Sequence, residues 1–414
     1  MKHSWLYYLS LFFIVFFFSC TDKKNTNITL TNNTNIERPA AMAIITYDKF
    51  VGEIGEIPAG QLPIVRDGEG QPIPYQLDDL NNDGTWDELA FTVSLGENSS
   101  KEVTLGLVNE SEKPEFAQNT NIRFAALDNP EKEIKEEVRL ESGNTEITSK
   151  IWQMEGPAWE NDKVGFRNYL DARNGFDIFG KVTSDMVLDK AGIDGQNYHE
   201  MDDWGMDILK VGNSLGAGAT AIKSGQHLVR VGSNGTNTYE YLTEGPVRSM
   251  FRLNYQIIIP DREQPIKMER EISIRKGEYG YRSKLRFSDI VPEDKLLVGF
   301  VNKYGADLIT KDAGDNSHIL ATHTKQSINE EYLGMGLILP GNHFISSGKY
   351  DKKHKNISET YYGSLEISED EPLNIFFFAG WEKTNTSFSK QAYFLEKLRQ
   401  RSITLENPVK VSWN

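Results

Sequence analysis

The 414-residue chain has one cysteine, Cys20, and that scarcity removes several chemistries at once. A disulfide needs two thiols, a thiolate metal site needs several, and a thiol nucleophile would have to come from residue 20. Excess positive charge is also missing. The 45 Lys and Arg residues face 60 Asp and Glu residues, for a net charge of -15, and a phosphate backbone requires a clustered basic surface. Nucleic acid is therefore not an expected partner. Small anions are not excluded, since a local Arg/Lys pocket can sit on an acidic protein. No second histidine lies at metal-ligand spacing from the one histidine in a crowded polar context, His199, so no metal is called for. The chain also lacks a Gly-Lys-Ser/Thr phosphate loop, a dinucleotide fingerprint, a Gly-x-Ser-x-Gly elbow and a kinase set, and no cofactor is expected.

Long apolar runs are absent except at the N-terminus. Trp5 to Phe18 contains only apolar, tyrosine and serine residues. It is shorter than the roughly 20 residues of a membrane span and has the length of an export-signal core. Phe17-Phe18-Ser19-Cys20 places the cysteine behind a small residue, as in a bacterial lipoprotein signal, although Phe17 stands where leucine is usual. Residues 1–20 are read as a lipoprotein signal peptide with Cys20 as the lipidated residue; cleavage near Ser19 in an ordinary secreted protein is the alternative. The expected location is the outer membrane, held by lipid and facing the periplasm. Residues 21–37, rich in Asn and Thr, read as a flexible tether.

Beyond residue 37 the chain is mostly strand material. From Arg38 to Val108, runs such as AMAIITYD, ELAFTVSL and KEVTLGLV alternate between turn signals. Residues 38–114 are expected to form a small β module. Asp79, Asn81, Asp83 and Asp87 are spaced like the start of a calcium loop, but Ala90 stands where the bidentate carboxylate belongs. An acidic hairpin turn without metal is the simpler reading. Residues 115–414 form the main domain. Its long alternating strands, among them NTYEYLTEGPVRSMFRLNYQIII and QPIKMEREISIRKGEYGYRSKLRFSD, put Arg248, Arg252, Lys267, Glu269 and Glu271 on a polar sheet face. Helical periodicity emerges only at Gln391 to Arg401, ahead of a last strand at VKVSW. The expected fold class is all-β, an antiparallel β-sandwich resembling the galactose-mutarotase-like supersandwich.

Between Pro157 and Thr220, Trp, His, Tyr, Arg, Lys and carboxylates crowd between glycines. If Val164 to Leu170 is a strand, Arg167 and Tyr169 share one face, aiming a guanidinium and a phenol at the same space. Arg167 could grip a carboxylate or sulfate, or merely pair with Glu160 or Asp162. Farther on, His199 has Tyr198, Glu200, Asp203, Trp204, Asp207 and Lys210 close by in sequence. It is the natural acid–base residue, with an ordinary surface histidine as the alternative. The glycines of Gly212 to Gly218 suit a tight backbone passage better than a phosphate cradle.

AWENDKVGFRNY, then DIFGK, then YHEMDDWGMDILKVGNSLGAGAT, together with PIPYQLDDLNNDGTWDELAF, resemble a domain-of-unknown-function family of exported Bacteroidetes proteins. That family is typical of polysaccharide-utilisation gene clusters and resembles the oligosaccharide dehydratase of ulvan breakdown. The resemblance implies removal of water from a glucuronic or iduronic acid at the non-reducing end of an anionic, sulfated oligosaccharide, giving a 4,5-unsaturated uronyl residue. For that reaction His199 would be the base and Tyr169 or Tyr198 the acid. Arg167 or Lys210 would neutralise the uronate, Trp159 and Trp204 would offer stacking faces, and Glu160 and Arg173 would complete the binding residues. A β-eliminating polysaccharide lyase and a non-catalytic glycan-binding lipoprotein are the alternatives. A glycoside hydrolase is less favoured, because no carboxylate pair stands out among the acidic residues.

Overall fold

The computed structural model describes residues 25–139, 149–351 and 356–414. The expected signal peptide, Cys20 and the start of the expected tether lie outside the described residues. Half of the chain is strand, in antiparallel sheets, against 11% helix, so the expected all-β class holds.

The main body is a sandwich. One layer is a nine-stranded sheet running, in spatial order, Glu136–Arg139, Asn237–Thr243, Arg248–Ile257, Ile266–Arg275, Gly280–Ser288, Leu373–Trp381, Tyr332–Pro340, Ser317–Lys325 and Ile309–Ala313. Two five-stranded sheets face it. One carries Thr120–Arg123, Ala158–Asn161, Val164–Asn168, Phe176–Lys181 and Gly205–Asp207; the other is built around Ala217–Ser224 and Asp294–Val301. The cause is the period-2 pattern seen in the sequence. In Ile266–Arg275, Met268, Ile272 and Ile274 point into the core while Lys267, Glu269, Glu271 and Arg275 point away. Phe251, Leu253, Tyr255, Phe166, Trp159, Tyr281 and Phe377 meet between the layers in one continuous core.

The outer face of the nine-stranded sheet is covered in part by the helix Gln391–Glu406, which buries Phe394 and Leu398 against Ile338, Phe376 and Phe378. Gly334 lets it lie this close: a Cβ there would come within 2.3 Å of the Phe394 ring. The helix extends beyond the expected Arg401. Its last residue, Glu406, accepts hydrogen bonds from the backbone amides of Asp315 and Asn316, a distant contact with no local signal.

The N-terminal module pairs a three-stranded sheet, Arg38–Thr46, Glu88–Leu95 and Tyr75–Asp78, with a four-stranded one. It overturns two sequence expectations. The proposed tether is folded from Thr26 onward: Thr26–Asn32 is an inner strand between Ser99–Asn109 and Lys410–Trp413. Although the segment is polar in composition, Ile28 and Leu30 are two residues apart, share one face and are fully buried. The final strand, Lys410–Trp413, belongs to this module rather than to the main domain. The acidic turn after Tyr75–Asp78 is closed by its own backbone. The amides of Asp83 and Gly84 donate to the Asp79 carboxylate, and the amide of Leu80 donates to Asp87.

Candidate functional site

The site grows from the outward face of the five-stranded sheet that carries Val164–Asn168. Phe166 faces the core, so Arg167 faces out. Strand register sets Arg167 opposite Asp177, and Phe179 opposite Asp207. A guanidinium thereby meets two carboxylates from neighbouring strands. Arg167 Nη2 donates to Asp177 Oδ2 at 2.6 Å, to Asp207 Oδ2 at 2.8 Å and to the Tyr169 hydroxyl at 2.9 Å. Nη1 donates to the Tyr198 hydroxyl at 3.0 Å and to the Met154 carbonyl at 3.3 Å. The rings of Tyr169, Tyr198 and Phe179 flank the guanidinium. The Tyr169 hydroxyl donates in turn to Asp177.

The segment from 182 to 204 folds over this face and buries Phe179, Leu188, Ala191 and Trp204 in a small second core. Its end delivers Tyr198 and His199, pinned by a hydrogen bond from the Asp207 amide to the Tyr198 carbonyl at 2.8 Å. His199 is 56% exposed and its Nδ1 lies 3.2 Å from Asp207 Oδ2. The cluster thus runs from a buried guanidinium through Asp207 to an imidazole in contact with solvent.

Its electrostatics follow from crowding and burial. Burial, reinforced by the nearby Asp207, pushes the Asp177 carboxyl up to about 7. The hydrogen bond to Asp207 raises the His199 pKa, against a smaller opposing effect of burial. Burial raises the Tyr198 phenol, with Arg167 opposing, so the hydroxyl keeps its proton near neutral pH. Burial works against the charge on Arg167, but the surrounding phenols and carboxylates overcome it and hold the group protonated.

Of the residues singled out in the sequence, the fold brings together Arg167, Tyr169, Tyr198 and His199. Arg173 adjoins them: its guanidinium lies 4.2 Å from the Tyr169 ring centre and pairs with Asp171 at 2.6 Å and Glu155 at 3.4 Å. Three of the others are corrected. Trp159 is wholly buried among Phe166, Phe176, Phe251 and Tyr281 and offers no face to a sugar. Trp204 is buried beside Phe179. Glu160 is sealed inside with Lys181 and accepts from the amides of Val187 and Leu188, so it is a structural anchor. Arg167 is 1% exposed, and its Nη groups are taken by Asp177, Asp207 and the two tyrosines rather than by Glu160, Asp162 or an incoming carboxylate. Lys210 is exposed and has no ion pair among the described residues. The sequence reading missed the structural roles of Asp177 and Asp207. The available signal, for Asp177 only, was a carboxylate between Phe176 and Ile178 in a strand whose other charged residue is Lys181. The 212–218 glycines are a close passage: a Cβ on Gly216 would fall 1.9 Å from the Phe176 carbonyl oxygen.

Fold and site define an all-β sandwich protein with a buried Arg–Asp cluster that ends in a solvent-facing histidine. The chain belongs to the family described as "Domain of unknown function (DUF4861)", whose model matches residues 30–411. No protein with a curated description matches the sequence. Among solved structures, it is similar to an alpha-mannosidase from Enterococcus faecalis, with a TM-score of 0.50 and 9% identity over 94% of this chain and 46% of that one. It is also similar to a protein in glycosyl hydrolase family 38 from the same organism, with a TM-score of 0.49 and 8% identity over 94% of this chain and 47% of that one. The chain therefore spans about half the length of these structures, and the likeness to the alpha-mannosidase is one of fold alone.

Proposed function

We propose that this protein is a carbohydrate-active lyase that dehydrates the non-reducing-end uronic acid of an anionic, ulvan-type oligosaccharide. The observation that carries this reading is the Asp207–His199 pair. A buried carboxylate, itself fixed by Arg167, holds Nδ1 of a half-exposed imidazole and leaves Nε2 without a partner among the described residues. An oriented imidazole of this kind is suited to take a proton near neutral pH. His199 Nε2 removes the proton from C5, the C4–O bond breaks, and a C4=C5 double bond forms in conjugation with the carboxylate. The departing hydroxyl takes a proton and leaves as water.

The hydrogen-bond pattern favours Tyr198 over Tyr169 as the acid. Arg167 donates to the Tyr198 oxygen, which leaves the phenolic hydrogen available, whereas the Tyr169 hydrogen is committed to Asp177. With Arg167 enclosed, neutralising the substrate carboxylate falls to Lys210, three residues beyond Asp207 and uncommitted, or to the partly exposed Arg173. The alpha-mannosidase whose fold it shares acts on a carbohydrate, which is compatible with a carbohydrate substrate here.

The deciding experiment incubates the protein with a saturated uronyl oligosaccharide and follows mass and ultraviolet absorbance. Loss of one water and growth of a conjugated-uronate band support the dehydratase. Chain cleavage would make it a β-eliminating lyase, and an unchanged substrate a glycan-binding protein. His199→Ala should lower the rate by roughly 10²–10⁴-fold with the fold intact; full activity in that variant rejects the base assignment. We propose further that the protein is exported and held at the outer membrane through acylated Cys20, and that the N-terminal module, with Thr26–Asn32 and Lys410–Trp413 in its sheet, and the main sandwich act as two modules. Metabolic labelling with a palmitate analogue should mark the wild-type chain and not Cys20→Ser.

A further inference from the structure

On the outer face of the nine-stranded sheet, across the sandwich from His199, lies a cleft of about 580 Å³. The N-terminal module walls one side with Ile44, Leu80 and Glu88, and the end of the C-terminal helix walls another with Leu405 and Glu406. The floor is the polar row of the sheet, including Glu271, Arg275, Arg282 and Lys284.

Arginines on this face generally have carboxylate partners. Arg248 pairs with Asp78 and Glu88, Arg252 with Glu240, and Arg286 with Glu269. Arg275 has none among the described residues. Its Nε is buried without an acceptor among the described residues, and Glu278, the carboxylate that raises its pKa, is paired through Oε1 with Arg282 and Arg401. Three guanidiniums thus divide a single carboxylate. On the next strand Lys284 stands opposite Glu271 in register without closing an ion pair. Burial first, then the charge of Arg282, depresses the Arg275 pKa well below the ordinary arginine value, with Glu278 opposing. Holding an uncompensated cation in such a place is costly. Among the described residues no carboxylate pairs with it, and Glu278, already paired with Arg282 and Arg401, offsets its charge only in part.

An anion from solution would supply the missing partner. The guanidinium fork fits the two oxygens of a carboxylate or sulfate ester. The cleft is far larger than a lone oxyanion, and Glu271, Asn316 and Asn374 offer both donors and acceptors for hydroxyl groups. We infer that this cleft is a second ligand site, seating the carboxylate or sulfate of an acidic saccharide on Arg275. The inference concerns binding alone, on the face remote from His199, and stands without the dehydration reading.

The test is calorimetric titration of the full chain with a glucuronate-bearing oligosaccharide, its neutral counterpart and inorganic sulfate. The acidic saccharide should bind about tenfold or more tighter than sulfate, with the neutral sugar weaker still. Arg275→Gln should weaken acidic-saccharide binding about tenfold or more, while His199→Ala retains it. Equal binding by the neutral sugar, affinity no better than that of sulfate, or wild-type binding in Arg275→Gln overturns the inference. Loss of binding in His199→Ala with retention in Arg275→Gln would assign the ligand to the other face. Because Arg275 lacks an internal partner, Arg275→Gln should melt at or above the wild-type temperature. A lower melting temperature would show that Arg275 has a structural role and would also overturn the inference.

Discussion

Asp177 and Asp207 both bind the same nitrogen of Arg167, and this sharing sets how the cluster responds to pH. The Asp177 carboxyl is raised in the folded state to about 7, first by burial and then by Asp207. Between its ordinary range near 4 and about 7, the unfolded chain has released a proton that the folded chain retains. The stabilisation from Asp177 is therefore complete in acid and lost as pH rises through that window. His199 is also raised, so its contribution declines in the same direction from about 6.5 upward. The melting temperature should fall across this range in the wild type, and the slope should flatten in Asp177→Asn; an unchanged slope would contradict the assignment. A separate buried pair, Lys181 with Glu160, predicts that Lys181→Ala costs about 3–5 kcal/mol, measurable by denaturant unfolding. At this scale the sequence was half legible. Alternation placed Arg167 and Tyr169 together, but their carboxylates arrive through strand register, which alternation does not encode. Trp159 read as a sugar platform because polar residues surround it in sequence, yet strand parity turns it inward.

The shortest strand of the site sheet, Gly205–Asp207, has a large influence on the chemistry because it positions Asp207. Gly205 sits at φ 130°, and a Cβ there would fall 1.9 Å from the Gly180 carbonyl oxygen. Gly205→Ala should therefore push the strand off its neighbour and destabilise the protein by roughly 2–4 kcal/mol. If Asp207 moves away, the His199 pKa should drop toward its ordinary value, which NMR titration of the imidazole would detect. Strand positions and the C-terminal helix could be read from hydrophobic periodicity. The covering segment 182–204 could not: it has no regular period, and its small core of Leu188, Ala191 and Trp204 exists only once Phe179 lies beneath it.

For the molecule as a whole, composition and alternation were enough for an all-β sandwich, but they do not specify which strands are neighbours. Thr26–Asn32 illustrates this. It reads as a polar tether, yet it lies inside a sheet because Lys410–Trp413 returns across almost the entire chain to pair with it. Deleting residues 408–414 should uncover one edge of that strand and loosen Ile28 and Leu30. Amide hydrogen exchange should then rise first in the N-terminal module, with the main sandwich protected longer. The long-range character of these pairings also predicts slow folding compared with a helical protein of equal length.

That pairing brings the first described residues and the last within one hydrogen bond of each other, the amide of Asn414 donating to the carbonyl of Asn27 at 3.1 Å. In connectivity the protein is almost a ring. A short linker could join residue 414 to residue 25, and the chain could be reopened in the exposed bend at 369–371. Such a rearranged chain should reach the same fold, with its new ends moved away from the seam.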